Sequence, residues 1–551
     1  MTVSPRVTRR PETSRIRDME GEHEISRPTA SMAGEEPGVA RRAVTAHVGR
    51  MRNVIGLFFG LLVVAVGAAQ ARPFMVMVYN VENLHDADGV ATFEDYQPAR
   101  YSKTHVLTKL NNIAKVLAQF EGGRGPDVIL FQELEADFTP GKAAPNYPEI
   151  LARYAGVKID AMLGAKFNAE IADLPSEALL LKTLADRGMT GYFVEVPAVV
   201  APKDAPERKL EQKCVVFTRF PVKHARSYAT ANARAVQEVL IEVDGAPLYL
   251  FNNHWKSGAS DPATEKDRIE NARTLRTRLT DILKEDPHAD VIVGGDLNSQ
   301  YNHSRRYAKT MKQTGINDVL GSQGNELAVR GTTRDLYNLW YELPAEQRGS
   351  DTFRGEWGTL MHLIVSRGLY DFRGVQYADN SFAVAKTPGM NADAKGLPVR
   401  WSGDGATGSG FSDHFPIYAR FATVPDGRAD KYLPLKNAST EPATVAVVKI
   451  DYAGVDVEKT ALKAAQIPAD QSIRSDAFKG KLFRVEGKVG KAKRLSVEFM
   501  GETYDVYSHD PALLAKLRDD HKAGDTLRFY GELGTFRERW QFVVQDPSWV
   551  K

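Results

Sequence analysis

Cysteine is almost absent. Cys214 is the single one in 551 residues, so no intramolecular disulfide framework holds the fold, and stability has to come from buried cores. A surplus of one charge is missing too: 72 Lys and Arg against 70 Asp and Glu leave a formal net charge of +2. That excludes recruitment of an acidic partner by the field of the whole protein, and any such attraction has to be local. After residue 71 there is no apolar run of membrane-spanning length and no aromatic-rich hairpin of the kind that enters a lipid surface. The length exceeds what one core can serve, and two or three domains are expected.

The beginning of the chain has its own composition. Residues 1–50 are rich in Arg, Glu, Ser, Thr and Pro without apolar periodicity and read as disordered. Met51-Arg52-Asn53, an uncharged run from Val54 to about Ala69, and Ala69-Gln70-Ala71 have the order of a secretory signal peptide with cleavage after Ala71. A retained anchor is the alternative, but the run falls short of the ~20 residues a spanning helix needs. Translation from Met51 and a periplasmic or secreted protein are the expectations. Ten Arg and seven acids fall within residues 1–71, so the net charge without them is −1.

What the remainder contains is a series of short apolar strands that end in polar clusters. Val291-Ile292-Val293-Gly294-Gly295-Asp296-Leu297-Asn298 is the fullest. Its β-branched run suits a strand covered on both faces, and Asp296 and Asn298, two apart on an extended chain, share a direction. An ordinary strand-to-turn exit is the alternative reading. Met75–Tyr79 leads into Asn80-Val81-Glu82-Asn83, and Val128–Phe131 into Gln132-Glu133. Cys214–Phe217 is a further strand; Val239–Val243 and Pro247–Asn252 pair through Asp244-Gly245 and deliver Asn253-His254. Thr359–Ser366 and Phe411-Ser412-Asp413-His414 close the series. Helices are expected over 108–120, 178–184 and 265–283, which makes a layered α/β sandwich.

Residues 423–478 lack strong periodicity and read as a linker. From Lys479 the pattern becomes clean alternation: Phe483, Val485 and Val489 on one side, Arg484, Glu486 and Lys488 on the other. Four or five short strands with a helical piece near 513–517 suit a small Greek-key barrel. Seven basic residues and one acid lie between Lys479 and Arg494. Such a run is either a solvated face or a track for a single strand.

Taken in order, the five polar strand ends resemble the endonuclease/exonuclease/phosphatase superfamily, whose fold is that of deoxyribonuclease I. The resemblance covers roughly 73–422, and the tail from about 479 resembles an oligonucleotide/oligosaccharide-binding barrel. It implies a four-layered α/β sandwich over 72–422 and a barrel over 479–551. It also implies a metal set of Glu133, Asn80, Glu82 and Asp413 holding Mg²⁺, with Mn²⁺ or Ca²⁺ as alternatives. Asp296 would orient the attacking water and Asn298 would hold a phosphate oxygen. His254 and His414 would serve the phosphoryl group, with their parts left open, and Arg234 would be a phosphate contact. Phosphodiester hydrolysis asks for such groups: charge neutralised on the phosphate, a water held in line and a stabilised leaving oxygen.

One position departs from the pattern. Met361 in Leu360-Met361-His362-Leu363-Ile364-Val365-Ser366 stands where the superfamily carries the Asp that orients the catalytic His. His414 is then expected to be poorly oriented and of lowered pKa. The leading expectation is a Mg²⁺-dependent nuclease acting on nucleic acid, without an obligate protein partner or membrane insertion after cleavage of the leader. A phosphodiesterase or phosphatase on a lipid or small phosphoester, and a non-catalytic binding protein, are the rivals.

Overall fold

Pro73–Leu84 serves two cores at once: Met75, Met77 and Tyr79 enter one, and Phe74, Val76 and Val78 enter the other. Val128–Glu135 does the same, with Ile129 and Phe131 on one side and Val128 and Leu130 on the other. Strands buried on both faces need a layer on each side, and that requirement generates the architecture. The computed structural model describes residues 73–138, 145–198, 201–205, 207, 210–440, 447–468, 471–490, 494–537 and 539–551. The expected leader, and Lys491 and Lys493 of the basic run, lie outside the described residues.

The first sheet runs in the order Asp371–Tyr377, Ile417–Tyr432, Pro73–Leu84, Val128–Glu135, Gln212–Thr218, Phe193–Glu195, with Ala383–Val384 also paired to Ile417–Tyr432. The second runs Val222–Tyr228, Val236–Val243, Ala246–His254, Val291–Asp296, Met361–Val365, Leu336–Asn338, Ser322–Gln323. Their inner faces share one apolar core that includes Val76, Leu130, Leu250, Ile292 and Leu363. Helices Lys103–Leu117 and Ser176–Asp186 cover the outer face of the first sheet through Leu110, Ile113, Leu179 and Leu180. Pro262–Glu285 covers the second through Leu275, Leu279 and Ile282. Helix, sheet, sheet and helix make the four layers expected. The hairpin at Asp244-Gly245 closes in the expected register, Val243 opposite Ala246, with φ of 49° and 90° at the two turn residues.

The C-terminal strands Leu482–Val489, Ser496–Phe499, Glu502–Tyr507, Thr526–Phe536 and Arg539–Val543 pair in the order first, second, third, fifth, fourth, and the fourth closes on the first. Helix Pro511–Asp519 lies between the third and fourth. The alternation did its work: Phe483, Val485 and Val489 are buried, and Arg484, Glu486 and Lys488 are exposed.

The expected linker is structured at both of its ends. Ile417–Tyr432 runs ten residues into it as a sheet strand. Ile450, Tyr452, Ala461, Ile467, Ile473 and Phe478 are buried in the barrel's core. Scattered apolar residues without a period suffice to wrap a barrel, because they meet it singly rather than as one face. The barrel side is also fastened to the sandwich: Trp357 N–H donates to Val448 O (2.8 Å), Ile450 N–H to Gly355 O (2.9 Å), and Lys395 pairs with Glu532 (3.0 Å). Among the described residues no helix is long and apolar enough to cross a membrane.

Candidate active site

Parallel pairing brings the polar strand ends together. Asn80 is in register with Gln132, so Glu133, at the irregularity between Phe131 and Leu134, stands beside Asn80; His254 is in register with Asp296 on the neighbouring strand of the other sheet. The two sheets therefore expose their carboxyl ends at the same edge of the sandwich. Backbone strain concentrates there. Glu82, Asn83, Glu133 and Asn298 all have positive φ (51°, 63°, 66° and 45°), a region that costs a non-glycine residue about 1–3 kcal/mol. Gly295 (φ 124°) lies so close to the neighbouring strand that a Cβ would stand 2.0 Å from Asn253 O.

Asn80 is the bracket between the sheets. Its Nδ2 donates to Glu133 Oε1 (3.0 Å) and to Asp296 Oδ2 (3.2 Å), while its Oδ1 accepts from Glu82 N–H (3.0 Å). His254 Nε2 lies 3.7 Å from Glu133 Oε1 and 3.8 Å from Asp296 Oδ2. His414 Nε2 lies 3.8 Å from Asp296 Oδ2 and from Asp413 Oδ1. Asp296 thus sits between two imidazoles. Its Oδ1 accepts from Asn298 N–H (2.8 Å), and Asn298 Nδ2 donates to Trp255 O (3.1 Å). The strand ends at Asp296 in a turn capped by its own carboxylate, and Asp296 lies among the clustered groups.

Electrostatics separate the groups. Burial and the charge of Asp413 push Glu133 up to about 7. Burial raises Asp296, and burial with Asp413 raises Glu82. Burial, helped by the charges of Arg234 and His414, holds His254 well below the usual imidazole value. Burial alone would lower His414 as well, but Asp413, Asp296, Asp351 and Glu133 outweigh it and push it up to about 9. The lowered pKa expected for His414 is therefore corrected. Met361 supplies no carboxylate, but tertiary structure brings the charges of four others to bear on the ring.

Arg234 acts electrostatically on both Glu133 and His254, which puts it at the site. Glu82 and Asp413 differ from the expectation of an open metal set. Arg400 Nη2 bridges them, at 3.0 Å from Glu82 Oε1 and 3.4 Å from Asp413 Oδ2, and Trp401 N–H donates to Glu82 Oε2 (2.7 Å). Among the described residues the compact groupings that could hold an ion are elsewhere, as in His85, Glu135 and Glu211. The donor set still suits a cation that keeps most of its waters and needs one or two carboxylates. Glu133 accepts one hydrogen bond from an amide, and burial, with Asp413 beside it, raises its pKa.

Arg400, Lys109 and Asp351 were not anticipated. Lys109 lies on the buried face of its helix, donates to Phe411 O (2.7 Å), and is lowered by burial to about 8 despite Glu82, Asp413 and Glu133. A lysine between Val106 and Leu110, on the apolar side of an amphipathic helix, was a readable signal. Arg400 sits in an irregular segment and Asp351 opens a three-residue strand, too short to show a pattern, and neither carries such a signal.

Residues 213–423 match the Endonuclease/Exonuclease/phosphatase family. No curated protein matches the sequence. Among solved structures the chain is similar to TDP2 from Caenorhabditis elegans, at 15% identity over 64% of this chain and 74% of that one, with a TM-score of 0.34. It is also similar to an endonuclease/exonuclease/phosphatase family protein from Bacteroides thetaiotaomicron, at 14% identity over 64% of this chain and 98% of that one, TM-score 0.35. Sphingomyelinase C from Streptomyces griseocarneus is similar at 13% identity over 64% and 99%, TM-score 0.33. Residues 213–423, which lie within the sandwich, are therefore similar to the endonuclease/exonuclease/phosphatase family, and a small closed barrel follows the sandwich.

Proposed function

We propose that this protein is a divalent-metal-dependent phosphodiester hydrolase acting on nucleic acid. The observation that carries the reading is the convergence of Asn80, Glu133, His254, Asp296 and His414 from strand ends of both sheets within hydrogen-bonding or ion-pairing reach of one another. Mg²⁺ would be held by Glu133, with Asp413 and the second lone pair of Asn80 Oδ1, and would neutralise charge on the phosphate.

The chain's own groups divide the remaining work. Asp296, fixed by Asn80 and by Asn298 N–H, accepts a proton from the attacking water. His414, the charged imidazole, donates to a phosphoryl oxygen. His254, held neutral, offers a lone pair or an N–H at the same centre without adding charge. Asn298 commits one N–H to Trp255 O and keeps the other for a phosphate oxygen. Arg234 adds positive charge on the Glu133 side. The nucleic-acid assignment rests on the barrel, whose exposed Lys481, Arg484 and Lys488 suit a phosphate backbone.

The test is incubation of purified protein with plasmid, single-stranded DNA, RNA, sphingomyelin and bis(p-nitrophenyl) phosphate, with Mg²⁺ or a chelator. Metal-dependent cleavage of a nucleic acid is expected. Turnover confined to sphingomyelin would move the substrate to lipids, and no turnover with any of them would remove the enzymatic reading.

A further inference from the structure

Met361 lies in the core between the sheets, opposite Asp296, and supplies no carboxylate to His414. Yet His414 has an unmet need: its Nδ1 is buried without a hydrogen-bond partner. Nε2 faces Asp296 and Asp413, and Glu133 is bracketed by Asn80. The fourth carboxylate whose charge acts on the ring, Asp351, has no part in the site so far described.

Asp351 opens a two-stranded hairpin, Asp351–Phe353 with Glu356–Gly358, inserted just before the Met361 strand. Its carboxylate is buried and aimed by three features. Oδ1 accepts from Leu360 N–H (3.1 Å), the residue before Met361, and from Ser350 Oγ (3.2 Å). Gly358 leaves the room Oδ2 occupies, since a Cβ there would stand 2.0 Å from it. Phe415 N–H, one residue past His414, donates to Ser350 O (2.7 Å), which ties the hairpin to the His414 segment. The far side of the hairpin is held by Trp357, stacked on Phe415 with centroids 6.3 Å apart, and by the two backbone bonds to Val448 and from Ile450.

We propose that Asp351 is the positioning residue for His414, replacing from a separate hairpin the carboxylate that Met361 cannot supply. The proposal rests on the hydrolase reading above. A buried carboxylate with one oxygen engaged and the other in a glycine-lined space, beside a buried imidazole with an open nitrogen, is a complementary pair. No direct hydrogen bond joins them in this structure. A bridging water, or the tightening that catalytic hydrogen bonds undergo on substrate binding, completes the link. The barrel's share follows from the same geometry: the 447–452 segment steadies the hairpin and so bears on the site.

Four proteins and two readouts test this: wild type, Asp351→Asn, Asp351→Asn/Met361→Asp, and His414→Gln. Asn keeps the acceptor for Leu360 N–H, so Asp351→Asn should fold, and a thermal melt checks that. With bis(p-nitrophenyl) phosphate and Mg²⁺, Asp351→Asn should lower kcat by about ten- to a hundredfold at unchanged KM, and Met361→Asp in that background should restore part of it. Independently of turnover, ¹⁵N-histidine-labelled wild type should show a low-field imidazole N–H resonance, assigned by its loss in His414→Gln, that disappears in Asp351→Asn. A wild-type kcat in folded Asp351→Asn overturns the proposal, as does a His414 resonance that is absent from wild type or survives the substitution. An inactive wild type whose resonance depends on Asp351 defeats the hydrolase reading and leaves the positioning intact.

Discussion

Glu133 and Glu238 are both glutamates on strands of the sandwich, and they ended in opposite states. Glu238 lies on the outer face of the second sheet beneath helix Pro262–Glu285. Burial alone would raise it, but Arg278 Nε and Nη2 (2.7 and 2.9 Å), Tyr228 Oη (2.5 Å) and His224 Nε2 (3.0 Å) outweigh burial and hold it at about 2. Glu133 accepts from Asn80, faces Asp413, and stands at about 7. One is a finished ion-pair network that needs nothing more. The other is a carboxylate raised by burial and by its acidic neighbour Asp413 at a positive-φ backbone position, the kind of perturbed group that suits a functional site.

The sharpest way to break this contrast is Glu133→Gln. Turnover on a model diester should fall by roughly a thousandfold or more, as expected when both metal and charge placement are lost. The melting temperature should hold or rise, because a repulsive buried charge is removed. A folded Glu133→Gln with wild-type turnover would take Glu133 out of the site. Metal addition gives the next largest effect. Mg²⁺ at a hundred times its Kd should stabilise the wild type by about 2.7 kcal/mol and leave Glu133→Gln unmoved. Equal stabilisation of both would put the ion at another cluster.

Glu238→Gln should do the reverse, lowering the melting temperature at pH 7 while sparing kcat. Its folded pKa of about 2 lies below the unfolded value of about 4.3, so its contribution is present above the unfolded value and disappears as pH falls through the folded one. The gap in melting temperature between wild type and variant should accordingly narrow between pH 5 and pH 2; a gap constant with pH would mean that packing, not charge, is at stake. Trp357→Ala should cost a few-fold in kcat by loosening the Asp351 hairpin, read on the same diester; an unchanged kcat would uncouple hairpin from site. Smallest is the barrel. Arg484→Ala with Lys488→Ala should flatten the slope of log K against log salt for single-stranded DNA by about 1.4, or 0.7 per lost phosphate contact. An unchanged slope would make those residues a solvated face.

Local pattern predicted the central strands of the sandwich and those of the barrel, because a strand buried on both faces, or alternating, leaves its signature in consecutive residues; edge strands such as Val222–Tyr228 and Asp371–Tyr377 lack that signature and were missed. Asn80, Glu133, His254 and Asp296 were legible for the same reason, each closing or following an apolar run, and His414 because it stands just before one. The 447–478 segment was read as linker because residues that dock one at a time have no period. Arg400 was missed because an arginine in a loop is informative only once Glu82 and Asp413 are known to flank it.

Neighbours along the chain were enough to mark the buried central strands and the polar residues near their ends, but not where each strand stops, as Ile417–Tyr432 shows. The sequence by itself could not determine the ionisation of the site. The charge state of His414 depends on Asp296, Asp351, Asp413 and Glu133, drawn from four separate segments, and electrostatic energy depends on distance and burial rather than on order along the chain. Met361 alone suggested a weakened histidine; the folded chain surrounds that histidine with carboxylates, one of them carried on a hairpin held between the sandwich and the barrel.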